Sequence, residues 1–440
     1  MENRKVFIVG LLFFLLYPFW GCDNGSDGGD NTALKVVPIT PKELQEPEDV
    51  SYAARSVAKG ANDFAFRLSA NLAAQTGTAR NMVCSPLSVW LPLTALVNAV
   101  DVQHKADLLT ALGAPGIEDA DINAAVSRML YDLTRRRDKE YKEAGWIEDY
   151  NEPLKIANAI FVDHGVTIKD DFAQTFMDYY RGSSINVDFA SPSAVAEVND
   201  WVDKNTNGMI RNIIEQFNPA TAAVLANAIY YFDRWSREFD PDKTKEDIFY
   251  APGGETTAPY MLREGEQSYF EDERLQATSL RFMTKGGLFI LLPKDGDAAG
   301  LLASLTNDYF LAIQNGSTPA EGKLLLPRFS IDGGDAMNLS DTLTAMGIPL
   351  FKPGSLTGLI QDAALQLSSA IHKAVIKVDE KGTTAAAVTI LMMVSSPGPN
   401  ELPKIPFEMI CNKPFVFILY DHTTDGGNQV VFMGMVNQPQ

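Results

Sequence analysis

Residues 379–396 read DEKGTTAAAVTILMMVSS. The stretch begins with charged residues, passes through one glycine and a run of small residues, and ends in large apolar ones. Gly382 provides a conformationally permissive pivot, and residues such as Val388 and Ile390 favour strands. The prolines from Pro397 onward lack the N–H that a central strand must donate, so they end strand pairing. The stretch therefore predicts a segment of about fourteen residues, roughly 46 Å long, that can add to an existing sheet as an extra strand.

Seven stretches of the chain form a recognisable series. They are NMVCSPLSVWLPL (81–93), VNDWVDKNTNGMI (198–210), AVLANAIYYFDRWSREF (223–239), LLLPRFSI (324–331), NLSDTLTAMGIPLF (338–351), LQLSSAIHKAVIKVDEKGTTAAA (365–387) and NKPFVFILYDHTTDGGNQVVFMGMVNQP (412–439). Each resembles a sequence block of the serpin family, and the seven occur in the family's order. The match extends over about residues 55–440.

The resemblance implies an α+β, single-domain serpin fold with mixed β-sheets, a helical N-terminal half and a mobile reactive loop at about residues 380–406. The residues agree, because helical periodicity dominates early in the chain and strand patterns dominate later. Helices are indicated at 58–76, 170–182 (capped by Gly182) and 193–206, and residues 245–332 are predicted to alternate short strands with turns. No Gly/Ser/Pro linker divides residues 55–440, so one domain is expected.

The serpin hinge pattern is matched residue by residue at the start of the loop. The resemblance assigns the hinge to Glu380, Gly382, Thr383, Ala385, Ala386 and Ala387. Thr384 departs from the frequent glutamate, at a position expected to face solvent. The side chains from Thr383 onward are small, so the segment is expected to be able to insert into the main sheet.

The resemblance also implies a buried polar cluster under the point where the main sheet opens, formed by Ser85, Ser88, Asn227 and His372. Trp235 matches the tryptophan near the top of the sheet, where the loop first inserts. The alternative is a catalytic triad built on Ser85 and His372. Ser85 lies in CSPLS and not in a G-x-S-x-G elbow, and no phosphate-binding or zinc-peptidase motif is present. We therefore expect no enzymatic activity.

Two counts of the scissile bond disagree. The usual spacing from the hinge points to Ser396–Pro397, whereas counting back from NKPF points near Pro403, because the link is about seven residues longer than in a short-loop serpin. The hinge count is preferred, since the inserted length determines how far a bound protease is carried. Proline after the bond hinders most serine proteases, so cleavage is expected one to three residues earlier, after Met393, Val394 or Ser395. Ser396, to which the hinge count itself points, is the fourth candidate. These residues favour elastase-, subtilisin- or chymotrypsin-like proteases over trypsin-like ones.

The N-terminus has the pattern of a processing segment. Arg4 and Lys5 precede the apolar run 6–20, which is short for a permanent membrane span. Gly21-Cys22 then resembles a bacterial lipoprotein signal, although Phe19 and Trp20 are bulky for it. The expectation is a signal peptide at 1–21, a lipidated Cys22 that begins a flexible acidic tether at 22–54, and a serpin domain at 55–440. The protein would then be secreted and membrane-anchored, in the periplasm or at the cell surface.

Composition limits the partners. The net charge of −19 argues against nucleic acid and anionic lipid, so the membrane is expected to be contacted through the lipid anchor only. The basic cluster RRRDKEYKE (135–143) alternates with acids and favours a solvated face over a polyanion site.

Cys84 and Cys411 lie in apolar runs and are expected to be buried free thiols rather than a disulfide. The spacing of the four histidines is not that of a zinc site, so no metal and no cofactor are expected. The protein is also expected to be a monomer.

Two functions are consistent with the sequence. The first is a suicide-substrate inhibitor of serine proteases, with cysteine proteases as a second target class, which acts by loop cleavage and insertion into the main sheet. The second is a non-inhibitory surface binding protein on the same fold that is cleaved only as a substrate. The small residues of the hinge favour the first.

Overall fold

The computed structural model of the 440-residue chain describes most of the domain and one N-terminal segment. The described residues are 7–16, 52–143, 154–218, 220–231, 233–283, 286–331, 334–361, 364–382, 406–424 and 427–439.

Nine α-helices lie within the described residues. Their formation follows local signals, such as Ser85, whose Oγ accepts a hydrogen bond from the backbone N–H of Ser88 at the start of α2. None of the described helices is long and apolar enough to cross a membrane. The helices are α1 (Tyr52–Thr76), α2 (Pro86–Ala95), α3 (Val102–Ala111), α4 (Asp119–Glu143), α5 (Asp170–Tyr180), α6 (Ser193–Asn205), α7 (Ala298–Ser304), α8 (Asn307–Gly316) and α9 (Ser340–Ala345).

The described strands form two sheets. The strands are β1 (Phe7–Leu16), β2 (Met82–Cys84), β3 (Leu154–Asp163), β4 (Gly182–Val187), β5 (Thr221–Tyr231), β6 (Lys245–Ala251), β7 (Gly254–Glu271), β8 (Leu275–Arg281), β9 (Gly287–Pro293), β10 (Thr318–Pro327), β11 (Phe329–Ile331), β12 (Met337–Asn338), β13 (Gln366–Val378), β14 (Phe407–Ile410), β15 (Phe415–Thr423) and β16 (Gly427–Val436).

The first sheet, called the main sheet below, has the order β11-β13-β1-β5-β3-β4, with β12 also paired to β13. The second has the order β14-β10-β7-β8-β9-β15-β16-β2, with β6 paired to β7. This mixture of helices and two sheets confirms the α+β class expected from the sequence.

The main sheet is covered on both faces. On the inner face, residues of α2 such as Trp90 and Leu93 share the larger apolar core with Leu225 of β5 and Ala370 of β13. On the outer face, α6 packs on β3 and β5, and its apolar side chains join a second core. That core also contains Phe161 of β3, Val224, Ala226 and Tyr230 of β5, and Val375 of β13. The two strands β5 and β13 thus both contribute apolar side chains to a core on each face of the sheet.

Two details of the sequence interpretation are wrong. The region 245–332 contains helices α7 and α8 as well as strands; both have side-chain N-caps, from Asp297 and Thr306, that the strand and turn pattern did not reveal. The residue that ends α5 is Arg181 in the left-handed conformation (φ 54°), not Gly182. Gly182 instead begins β4, where a Cβ would lie 2.1 Å from the ring of Phe176.

Residues 7–16 lie in the centre of the main sheet of the full-length chain, as strand β1. The sequence interpretation placed them outside the fold, as part of a signal peptide. A proline-free apolar run also has the composition of a central strand that is buried on both faces, so the segment can pair wherever a strand position is open. Removal of residues 1–21 stays a prediction.

Candidate functional site

The central feature of the site is the strand position between β13 and β5, called the insertion position below. In this structure β1 lies there, antiparallel to both neighbours. It pairs with β13 from Ile8–Val375 to Leu16–Gln366 and with β5 from Phe7–Tyr231 to Leu16–Thr221. Because β1 pairs along both of its edges, the position is one strand wide.

Four polar residues predicted from the sequence lie together beneath the middle of this position. Ser85, Ser88, Asn227 and His372 are all fully buried. The hydroxyl of Ser88 donates to Oδ1 of Asn227 at 2.5 Å, and the backbone N–H of Ser85 donates to Nε2 of His372 at 3.2 Å. The bonds connect α2 to β5 on one side of the insertion position and to β13 on the other. Their expected role in sheet opening stays a prediction.

The imidazole of His372 is neutral at ordinary pH. Burial lowers its pKa to about 3, because desolvation disfavours the charged ring. Since Nε2 accepts the bond from Ser85, the neutral ring carries its proton on Nδ1. Nδ1 is buried and has no hydrogen-bond partner among the described residues. A buried donor without a partner is unfavourable, so an acceptor placed within reach of Nδ1 would stabilise His372.

The polar cluster extends farther than the sequence indicated. The amide of Asn227 donates to Oδ1 of Asn158 at 2.8 Å, and Asn158 donates to the carbonyl of Tyr180 at 2.7 Å. The phenol of Tyr180 then donates to Asn123 at 2.9 Å. These residues were missed because their sequence contexts are ordinary; the bonds arise only when β3 lies beside β5. The network ties β5 to the helices on its flank, so movement of β5 would break buried bonds.

The hinge begins where β13 ends, and Trp235 contacts it directly. The indole of Trp235 is buried and stacks on Phe282 at 4.8 Å between centroids. Its Nε1 donates to the carbonyl of Asp379 at 2.8 Å, and its backbone N–H donates to the carbonyl of Lys381 at 3.2 Å. Trp235 therefore fixes the backbone from which the loop departs.

Gly382 has the conformation that the sequence analysis expected of a pivot. Its φ is +102°, and a Cβ would lie 2.6 Å from the backbone nitrogen of Trp235. It forms isolated bridges with Arg234 and with Asp379. A side chain at this position would be strained by both the dihedral angle and the contact, so the close approach of the hinge to Trp235 requires glycine.

Glu380 forms an ion pair, buried on the glutamate side, that sequence reasoning did not find. Its carboxylate accepts from Nε of Arg328 at 2.7 Å to each oxygen and lies 2.5 Å from Nη2. The hydroxyl of Thr244 donates to it at 2.6 Å. Burial alone would raise the pKa of Glu380, but the hydrogen bonds from Arg328 and Thr244 outweigh burial and lower it from 4.5. Arg328 lies in the quoted block LLLPRFSI, yet nothing in that block indicates its partner.

Several predicted site residues lie outside the described part of the chain. Cys84 and Cys411, by contrast, are buried free thiols as expected. No group of three or more possible metal ligands occurs within the described residues. The predictions that fall outside it concern Cys22, the hinge residues Thr383, Ala385, Ala386 and Ala387, and the scissile-bond candidates Met393, Val394, Ser395 and Ser396.

The fold and this site define a class of protein: a one-domain α+β protein whose main sheet has a strand position directly beside a glycine hinge. A family model described as "Serpin (serine protease inhibitor)" matches residues 59–439. The chain belongs to the serpin family. The matched description is that of inhibitors rather than catalysts, and it gives proteases as the kind of partner.

Individual relatives cover nearly the whole domain. The chain is 29% identical over 425 residues to an uncharacterized serpin-like protein of Thermococcus kodakarensis, covering 95% of this chain and 93% of that protein. It is 31% identical over 376 residues to an antitrypsin of Bombyx mori, covering 83% and 91%. The structure of human thyroxine-binding globulin complexed with thyroxine is similar with a TM-score of 0.72 at 22% identity, covering 88% of this chain and 100% of that one. This last similarity shows the fold alone.

Proposed function

We propose that the protein is a suicide-substrate inhibitor of serine proteases, with cysteine proteases as a second target class. The observation that carries the proposal is the insertion position itself: it lies next to the strand that leads into the hinge, and it accepts a strand antiparallel to β13. A loop that turns back at Gly382 would run in this direction. It would therefore extend β13 as a hairpin without crossing another strand.

The register of the hinge sets which loop residues would pair with β13. Asp379 bridges Gly382, so each later loop residue would pair with one residue earlier in β13. Thr383 would lie opposite Val378, and Thr389 opposite His372. The odd-numbered loop residues from 383 to 391 would then share the inner face with the buried side chains of β13, namely Val378, Ile376, Ala374, His372 and Ala370.

This register also supports a scissile bond near the end of the predicted segment. In unbroken register, the first residue of β13, Gln366, would pair with Ser395. If β13 keeps the irregularity that it shows opposite β1, between Phe14 and Leu15, Gln366 would pair with Val394 instead. Either residue lies among the four candidates at 393–396, and neither is near Pro403. The length of the insertion position thus favours the count made from the hinge.

Insertion would release enough free energy to drive the proposed mechanism. Burial of Leu391 and Met393 would contribute roughly 1.5–3 kcal/mol each. About a dozen new backbone hydrogen bonds at about 1 kcal/mol each would add on the order of 10 kcal/mol. The target enzyme would cleave the loop and form an ester with its new carboxyl end, releasing the downstream amine. Insertion of the freed strand would then carry the protease away before water hydrolyses the ester.

The residues before the cut define the expected targets. Met393, Val394 and Ser395 suit elastase-, subtilisin- or chymotrypsin-like pockets, and no Arg or Lys lies between Lys381 and Lys404. We propose further that the protein is a bacterial, secreted lipoprotein, anchored through Cys22 in the periplasm or at the cell surface. The Gly21-Cys22 pattern supports this localisation.

The test is a pair of arginine substitutions in the loop of the protein without residues 1–21, each mixed with subtilisin and with an elastase. Thr383→Arg would place a charge opposite buried Val378 and should abolish the covalent, denaturation-resistant complex while leaving cleavage intact. Thr384→Arg is the matched control: it would lie opposite Lys377, on the other face, and should still trap. Equal trapping by both variants would contradict insertion.

The parent protein without residues 1–21 decides between the two candidate functions. A covalent high-mass band, together with a released C-terminal peptide that begins at Val394, Ser395, Ser396 or Pro397, would establish inhibition and the bond together. Cleavage of this shortened parent protein without such a band would instead support the non-inhibitory binding protein.

A further inference from the structure

Strand β1 lies in the same place that the proposed mechanism requires for the reactive loop. It pairs with Val375 through Gln366 of β13, which the loop would reach from Ala386 onward in the hinge register. It also runs in the direction that the loop would take. Because β1 pairs with β5 along its other edge, no second strand fits beside it. The N-terminal segment and the loop are therefore mutually exclusive occupants.

The segment is suited to this position by composition. FIVGLLFFLL (Phe7–Leu16) contains no charge and no proline. A central strand covered on both faces should be apolar throughout, and the two faces here are covered by the larger core and by the α6 core. Each residue can also supply both a backbone donor and a backbone acceptor to its neighbours. Insertion therefore provides backbone hydrogen-bond partners both to the segment and to the facing edges of β5 and β13.

The connection to the domain permits insertion within one molecule. Residues 17–51 separate Leu16 from the start of α1 at Tyr52. A connection of this length can span more than roughly 100 Å, which is ample for a domain of this size. Since tethering raises the effective concentration of the segment to about the millimolar range, the attached segment has an advantage over any free peptide. The predicted processing site after Gly21 lies within this connection.

We propose that the N-terminal segment 7–16 keeps the unprocessed chain from trapping proteases, and that removal of residues 1–21 makes the insertion position available to the loop. The inference rests on the proposed function. The unprocessed inhibitor would thus stay blocked until residues 1–21 are removed. Before that removal, the loop could be cleaved but could not insert.

The position of β1 is tested by a disulfide in the full-length chain that carries Cys22→Ser, a change that removes the lipidation site and a competing thiol. Leu12 pairs with Ile371, so Leu12→Cys with Ile371→Cys should form an intramolecular disulfide on mild oxidation. The matched control is Leu12→Cys with Lys377→Cys, six residues away on the same face of β13. Equal cross-linking in both pairs, or a disulfide only between two molecules, would overturn the proposal.

The blocking effect is tested with Leu12→Pro in the same full-length background. Proline removes a donor and breaks a central strand, so the fraction of subtilisin trapped as covalent complex should rise by at least about tenfold, a difference of about 1.4 kcal/mol. Asn24→Pro, outside β1, should leave the fraction unchanged. If Leu12→Pro traps no more than the parent while Thr384→Arg without residues 1–21 does trap, blocking by β1 is refuted.

A synthetic peptide of residues 383–396 separates this inference from the proposed function. Leu12→Pro should bind the peptide, seen as a shift on a native gel, and the parent full-length chain should not. This readout requires an open strand position but no protease and no trapping. Binding by Leu12→Pro alone, with no trapping by any variant, would keep the exclusion by β1 and refute inhibition. Equal peptide binding by both chains would refute the exclusion.

Discussion

Removal of the Glu380–Arg328 pair should measurably loosen the base of the reactive loop. The side chain of Glu380 is 6% exposed and the side chain of Arg328 is 42% exposed. Three short contacts join them, and Thr244 adds a fourth bond to the same carboxylate. The pair holds the residue two positions before Gly382, so its loss should free the hinge as well as destabilise the fold.

The expected magnitude follows from this geometry. Removing one partner of a fully buried pair costs about 3–5 kcal/mol, and a charge-assisted hydrogen bond contributes about 1.5–3 kcal/mol. Because Arg328 is half exposed, water can replace part of the hydrogen bonding that its guanidinium loses when Glu380 is removed. We therefore expect Glu380→Ala to lower the free energy of unfolding by about 2–3 kcal/mol. For a domain of this size that corresponds to a fall in Tm of roughly 3 °C.

The assay is a double-mutant cycle followed by urea unfolding, with Glu380→Ala, Arg328→Ala and the double variant. We expect a coupling free energy of about 2 kcal/mol. The control cycle uses Lys323 and Glu408, a pair at 3.1 Å whose side chains are 40% and 58% exposed; its coupling should lie below about 1 kcal/mol. A coupling at Glu380–Arg328 no larger than that of the control would refute the reasoning.

Two further results are expected from the insertion position. Thr389→Val should lower the stability of the cleaved, inserted form by about 1–3 kcal/mol, because Thr389 would lie opposite His372 and its hydroxyl could accept a hydrogen bond from Nδ1. Thr384→Val, on the other face of the inserted strand, should leave that stability unchanged. Equal losses of stability in the two variants would contradict the register. The parent should lose stability as pH falls from the unfolded histidine value of about 6.5 toward 3, because only the unfolded state binds a proton at His372 there. In urea unfolding between pH 4 and 6, His372→Gln should reduce the pH dependence of the free energy of unfolding by the equivalent of about one proton. An unchanged pH dependence would mean that His372 is not the titrating group.

The pattern of the loop and hinge could be recognised in the sequence because its requirements are local. The residues from Thr383 to Ser396 lie outside the described part of the chain, so their roles stay predictions. A pivot needs glycine, an insertable strand needs small side chains first, and strand pairing must end at proline. Gly382 indeed has positive φ and no room for a Cβ. Ser85, Ser88, Asn227 and His372 were named only through the resemblance to serpins, yet they are brought together as that resemblance implied. The α+β class followed in the same way.

Contacts between segments that are distant in the chain needed the tertiary structure. Glu380 meets Arg328 and Thr244 across 52 and 136 positions, and neither partner has a sequence feature that marks it. Asn158 joins the polar cluster only because β3 lies beside β5.

The N-terminal segment shows the same division. Its sequence determined an apolar, proline-free run with the flanks of a signal peptide, and such a run is compatible with several environments. Only the arrangement of β5 and β13, one strand apart and covered on both faces, decided that it can also lie in the main sheet. A strand's own sequence determines whether it can pair, whereas the position of unpaired backbone edges, set by long-range packing, determines where.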